Sequence, residues 1–191
     1  MSENMLGVGA LAEVAGPLKD FSDKLNGADG PLWLSAFKRF LRKEDPWANS
    51  FAVTVDYDRS IEEMVASGKY DSTNTDITAK NFPVDGKGTS AVNIELVHFN
   101  RTMESDEVRQ KLAKQGLRPA TLPELLAFAA TYPEKQRELT VVALGSVWRS
   151  WNDRRYVAIL YSNADGRSLS LHWYEDRWSG SYRFAAVRKE K

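Results

Sequence analysis

The chain predicts an α+β fold built on a mostly antiparallel sheet. Its elements are grouped rather than alternating: a β-branched strand, then helical segments, then strand after strand. Its helices carry start signals, with capping boxes at Ser60-Ile-Glu-Glu63 and Thr121-Leu-Pro-Glu124. Its late strands are short runs bounded by Gly, Asn, Asp or Ser, as antiparallel strands joined by tight turns are.

Residues 1–30 are rich in Gly and Ala and only weakly patterned, although Leu6, Val8, Leu11, Val14, Leu18, Phe21 and Leu25 keep a rough helical spacing. The expectation is a weakly structured N-terminal segment, either a short helix that docks on a partner or a mobile tail, forming an N-terminal helical extension to one domain over 31–191. Asp29-Gly30-Pro31 opens a helix with Pro at its first position. Trp33, Phe37, Phe40 and Leu41 form its apolar face, and Glu44-Asp45-Pro46 ends it. Phe51–Val55 is a strand by β-branched content, and Ser60 caps a short helix that Gly68 stops. Residues 69–90, full of Asp, Asn, Thr and Gly, read as a long loop. Val92–Phe99 is a strand. Ser105-Asp-Glu opens a helix that Gly116 stops, and Thr121 caps another that runs to Tyr132-Pro133. Leu139–Leu144, 155–161, 168–173 and 182–188 are strands.

The 191 residues suffice for one domain with a substantial core plus an extension. With 42% hydrophobic and 27% charged residues the composition is that of an ordinary globular chain. Six tryptophans imply a large core or an adhesive surface. A formal net charge of zero argues against nucleic acid as the partner, since phosphate neutralisation needs a basic face. There is no cysteine, which removes thiol nucleophiles, Cys-based zinc sites and disulfides. No signal peptide is visible and no apolar run reaches the ~20 residues that span a bilayer, so no membrane insertion is expected and the location expected is cytoplasmic or virion-associated.

The last forty-odd residues carry the functional signal. An apolar frame of Val147, Trp148, Val157, Leu160, Leu169, Leu171, Trp173, Trp178, Phe184 and Val187 holds a strip of other chemistry. The strip comprises Ser150, Asn152, Asp153, Arg154, Arg155, Tyr156, Tyr161, Ser162, Asn163, Asp165, Ser168, Ser170, His172, Tyr174, Asp176, Arg177, Ser179, Ser181 and Tyr182. Tyrosine gives rigid contact area at low entropy cost, and Ser and Asn give adaptable hydrogen bonds, which is the chemistry of paratopes. Alternation of Leu169, Leu171 and Trp173 with Ser168, Ser170, His172 and Tyr174 predicts one packed strand face and one presented face. Arg154, Tyr156, Tyr161, His172, Tyr174, Arg177 and Tyr182 are the expected anchors, because hot spots are usually Trp, Tyr and Arg.

The segments LVHFNR (96–101), GLRPATLPELLAFAATYPE (116–134), VVALGSVWR (141–149) and YRFAAVRK (182–189) resemble the variable proteins of diversity-generating retroelements. The upstream segments PLWLSAFKRFLRKEDPW (31–47) and IEEMVASGKYDSTNTDITAKNFPV (61–84) are similar to the same group, in particular to versions from uncultured bacteria and archaea and their viruses. The resemblance implies a C-type lectin-like fold with two main helices. It implies a C-terminal segment, about 149–182, whose codons a retroelement rewrites at adenines, and a fixed closing sequence from Arg183 to Lys189. It implies a non-enzymatic protein that binds a macromolecular ligand, a protein by preference, through this hypervariable surface and needs no cofactor. The ligand's identity and the oligomeric state are not written in the sequence.

Other readings attach to particular residues. Trp151-Asn152-Asp153 resembles the calcium-binding WND element of sugar-binding lectins, but no EPN or QPD partner stands upstream. His98 and His172 are the only histidines, and their spacing suggests no metal site. Ser146 lacks a nucleophile elbow. Glu62, Glu63, Asp71, Asp76 and Asp85 read as solvated, with a structural cation in the 69–90 loop as the sharper alternative. Lys38, Arg39, Arg42 and Lys43 read as the wet face of a helix. The runner-up function is a carbohydrate- or metal-dependent small-molecule or enzyme site on the same fold. It requires a concave pocket with convergent polar groups.

Overall fold

A computed structural model describes residues 8–27, 30–41 and 50–189. They fall into two compact units, Met1–Ala48 and Asn49–Lys191.

The first unit contains two helices, α1 (Val8–Leu25) and α2 (Gly30–Leu41). The N-terminal segment, expected as a helical extension or a mobile tail, holds an 18-residue helix, and the first compact unit runs to Ala48, past the boundary expected at 30. The end of α1 has a partner, although Val14 and Leu18 of its stripe stay exposed. Phe21 meets Phe37 of α2 with ring centroids 4.8 Å apart, and Lys24 Nζ lies 4.6 Å over the Trp33 ring. Phe40 and Leu41, expected on the buried face, are exposed. The helix-ending Glu44-Asp45-Pro46 lies outside the described residues, as does Asp29.

The second unit is α+β and organised by one large, mostly antiparallel sheet. Its strands are β1 (Ser50–Asp56), β2 (Ser72–Thr73), β3 (Thr89–Val97), β5 (Leu117–Pro119), β6 (Val141–Arg149), β7 (Arg155–Asn163), β8 (Gly166–Trp173) and β10 (Arg183–Arg188). Two short strands, β4 (Met103–Glu104) and β9 (Arg177–Trp178), pair separately. The order across the sheet is β1-β3-β10-β6-β7-β8-β2, with β5 added to β10. Only β10–β6 and β2–β8 run parallel. The helices are α3 (Ile61–Gly68), α4 (Ser105–Lys114), α5 (Leu122–Thr131) and α6 (Pro133–Glu138).

Both sheet faces are covered. Neighbouring strand residues point to opposite faces, so Val141, Leu160 and Leu169 join the core under α3 and α5, with Phe51, Ile94, Leu125 and Phe128. Val142, Leu144, Val157 and Ile159 join a second core with Val108 and Leu112 of α4, Trp178 and Phe184. The local signals are met at α3: Ser60 Oγ accepts from Glu63 N–H at 3.2 Å and Glu63 Oε2 accepts from Ser60 N–H at 2.8 Å. At α5, Glu124 accepts from Thr121 N–H at 2.7 Å and holds Arg118 through two bonds of 2.6 and 2.9 Å. Burial pushes the Glu124 carboxyl up, but the Arg118 and Thr121 bonds outweigh it and hold the group below its ordinary value.

Several elements differ from expectation. The 69–90 loop is not wholly irregular: Ser72–Thr73 add an edge strand beside β8, and Ile77 and Phe82 are buried. Pro133 starts a further helix, α6, instead of only ending α5, because Pro suits a first helical position. Strand β6 extends to Arg149 through an irregularity between Ala143 and Val147. Gly145 sits there because a Cβ would lie 2.4 Å from Ala120 O.

Candidate binding surface

The antiparallel β7–β8 pair fixes where the strip residues go. Its register sets Tyr156 opposite Trp173, Val157 opposite His172, Ile159 opposite Ser170 and Tyr161 opposite Ser168. The strip therefore does not form one continuous face. Ser162, Asn163 and Asp165 lie at the far turn, where Asp165 N–H donates to Asn163 Oδ1 at 3.0 Å. At ~3.3 Å per residue, the nine residues of β7 put that turn roughly 27 Å from the opposite end.

At the near end, β6 and β7 are joined by a tight turn. Ser150 N–H donates to Arg154 O at 2.9 Å and Asp153 N–H to Ser150 O at 3.0 Å, with Asp153 in the left-handed region at φ 64°. Asn152 Oδ1 accepts from Ser150 Oγ at 2.5 Å, and Asp153 Oδ1 accepts from Arg149 at 2.6 Å. Asn152 and Asp153 are thus engaged in shaping the turn. This leaves Trp151, 96% exposed, at its tip. An indole held out by an ordered turn is the most conspicuous surface feature of this unit.

Beside the turn, Trp173 is 39% exposed and carries the Arg154 guanidinium 4.2 Å over its ring. Tyr156, half-buried, stacks on Trp148 with centroids 5.4 Å apart. Trp173 was expected in the buried frame and Tyr174 on the presented face, but the structure reverses them. Strand β8 ends at Trp173, and Tyr174 turns inward, 4% exposed. Its N–H donates to Arg155 O at 3.0 Å and its hydroxyl to Asp106 Oδ1 at 2.6 Å. Burial and the bond to Asp106 push its phenol up to about 12. Val147 of the frame is exposed, and Ser168 of the strip is buried.

A third group lies mid-sheet on the α4 side. His172 packs on Trp178 with ring centroids 5.0 Å apart, and Tyr182 on the same indole at 5.9 Å. Tyr161, Ser170, His172 and Tyr182 are all half-buried, so each shows an edge. Asp176, Arg177, Ser179 and Ser181 are exposed around them, with Ser179 Oγ and Ser181 Oγ 3.1 Å apart. Trp178 is fully buried and donates from Nε1 to Ser105 Oγ at 2.8 Å, while Ser105 donates to Tyr174 O at 2.5 Å. Ser105 opens α4 but bonds inward to the core instead of capping it.

The near end also holds residues that sequence reasoning did not single out. Asp106 and Arg109 of α4 come together with Val147, Arg149, Arg155 and Tyr174 around a cleft of about 440 Å³. Arg155 Nε donates to Glu175 Oε1 at 2.6 Å and its guanidinium lies 4.2 Å from the Tyr174 ring. Asp106 and Arg109 are ordinary helix-surface residues in sequence, so no local signal marked them. His98, far from His172 in the sequence, engages Gly180 O at 2.6 Å through Nε2. Among the described residues no three His, Cys, Asp or Glu side chains gather to hold a metal, and no helix is long and apolar enough to cross a membrane.

Comparison with known proteins finds no matching family model, no similar curated protein and no similar solved structure.

Proposed function

We propose that this protein is a non-enzymatic binder with a C-type lectin-like fold, whose C-terminal surface is diversified by a retroelement and docks on a macromolecule, a protein by preference. The observation that carries the reading is Trp151, an almost fully exposed indole on a hydrogen-bonded turn, beside the Arg154–Trp173 stack. Indole and guanidinium groups are the usual hot spots of protein interfaces. Val157, Leu160, Leu169, Trp178 and Phe184 are buried, so the strands that carry this surface are held by core side chains other than Trp151, Arg154 and Trp173. The mostly antiparallel sheet covered by helices fits the lectin-like reading. Of the expected anchors, Arg154 and Arg177 are exposed and Tyr156, Tyr161, His172 and Tyr182 half-buried, whereas Tyr174 is buried in the core.

Sequencing the encoding locus tests the diversification. The expected result is a near-copy of the segment coding for 149–189, differing from it only at adenines and adjoining a reverse transcriptase gene. A locus with neither overturns it.

A further inference from the structure

We infer that the near-end cleft is an anion-recognition site for an acidic segment of a protein ligand, and this deepens the binding function proposed above. Three arginines and one aspartate, with Val147 and Tyr174, line the cleft. Each guanidinium is positioned by a bond that leaves other N–H donors in hand: Arg109 to Leu144 O at 2.9 Å, Arg149 to Asp153 at 2.6 Å and Arg155 to Glu175 at 2.6 Å. Arg155 is further fixed against the Tyr174 ring, which the bond to Asp106 holds in place. The Tyr174 ring and Glu175 thus hold Arg155 ready for a ligand, which lowers its ordering cost.

Planar guanidinium forks match carboxylates two bonds at a time. Two of these forks already hold exposed carboxylates of their own chain, Asp153 and Glu175, so a partner's carboxylate can exchange for them. Asp106, Asp153 and Glu175 offset the three guanidiniums, so a partner's carboxylate enters by taking the place of Asp153 or Glu175, and a dianionic phosphate is disfavoured. Trp151, two residues beyond Arg149 at the tip of the turn, adds apolar surface for the side chains flanking the acid. The ligand segment thus carries Asp or Glu next to aromatic or aliphatic residues.

The test selects a phage-displayed library of short random peptides against the full chain and sequences the enriched pool. The expected pool is enriched in Asp and Glu beside apolar residues. Its leading peptide loses about tenfold or more in affinity against R149Q/R155Q, the scale of a lost charge-assisted bond. A pool that depends on Trp151 but shows no acidic excess overturns the anion site and leaves the binding surface standing. A pool indifferent to Trp151 and to both arginines overturns both. If R149Q/R155Q melts early, Glu175→Gln, which frees Arg155 from its internal carboxylate, replaces it. Tighter binding of the acidic peptide supports the site, and unchanged or weaker binding overturns it.

Discussion

Tyr174 donates a 2.6 Å hydrogen bond to Asp106 across 68 residues of chain, joining the end of β8 to the first turn of α4. This contact moves a tyrosine of the recognition strip into the core and sets one wall of the arginine cleft. Tyr174→Ala lowers stability by about 3–5 kcal/mol, as loss of a buried aromatic side chain does. Tyr174→Phe costs only about 1 kcal/mol, the net worth of the bond. Urea denaturation of both variants separates packing from hydrogen bonding.

The same phenol sets an alkaline limit. Its folded value is raised to about 12 from an ordinary 10, so the folded state keeps a proton that the unfolded state releases. That contribution is fully present below pH 10 and is lost as pH rises towards 12. Burial raises Tyr70 as well, so wild type falls steeply over this range. Tyr174→Phe falls less steeply, as thermal melts at stepped alkaline pH will report.

Glu124 acts at the acid end. Its carboxyl is held below its ordinary value, so its contribution is present above about pH 4.5 and is lost as pH falls through the lower folded value. Glu124→Gln is less stable than wild type at neutral pH, because the ion pair that the buried Glu124 carboxylate makes with Arg118 is lost. The gap narrows in acid. A gap that stays constant from pH 7 to pH 3 contradicts this.

Arg167 is buried and donates to Gly68 O at 2.9 Å, Ala129 O at 3.0 Å and Gln136 Oε1 at 3.1 Å. It joins α3, α5 and α6 to β8 from within the segment expected to be rewritten. Arg167→Ala leaves those acceptors buried without it and costs about 3 kcal/mol or more. Arg167→Lys recovers only part, since an ammonium cannot span the same acceptors. Chemical denaturation of both variants checks this, and a neutral Arg167→Ala refutes the anchor.

Gly145→Ala meets backbone: a Cβ there would lie 2.4 Å from Ala120 O and 2.8 Å from Pro119 O. The expected loss is about 2–4 kcal/mol, read as a lowered denaturation midpoint, because backbone cannot step aside as a flexible side chain can.

Local chemistry was the legible part. The capping box at Ser60, the Glu124 arm of the one at Thr121 and the strand segments are encoded within a few neighbouring residues, and the folded chain uses them. What escaped depends on distant partners. Strict alternation places Tyr174 outward, but alternation holds only while the strand lasts, and β8 stops at Trp173. Arg167 reads as one more polar residue until three acceptors from distant segments surround it. Asp106 and Arg109 gain meaning only because α4 packs beside the β6–β7 turn. The two-residue strands β2, β4 and β9 are too short to carry any period.

The most direct measurement replaces the exposed set on its frame in one protein: Trp151→Ser, Arg154→Ser, Arg177→Ser, Ser179→Ala and Ser181→Ala together. Because exposed positions tolerate change within ~0.5 kcal/mol each, the free energy of unfolding in urea should stay within about 2.5 kcal/mol of wild type, above that of Tyr174→Ala alone. A cooperative loss equal to or greater than that of Tyr174→Ala would mean that these side chains hold the fold together, and the surface could not be one whose residues are exchanged freely.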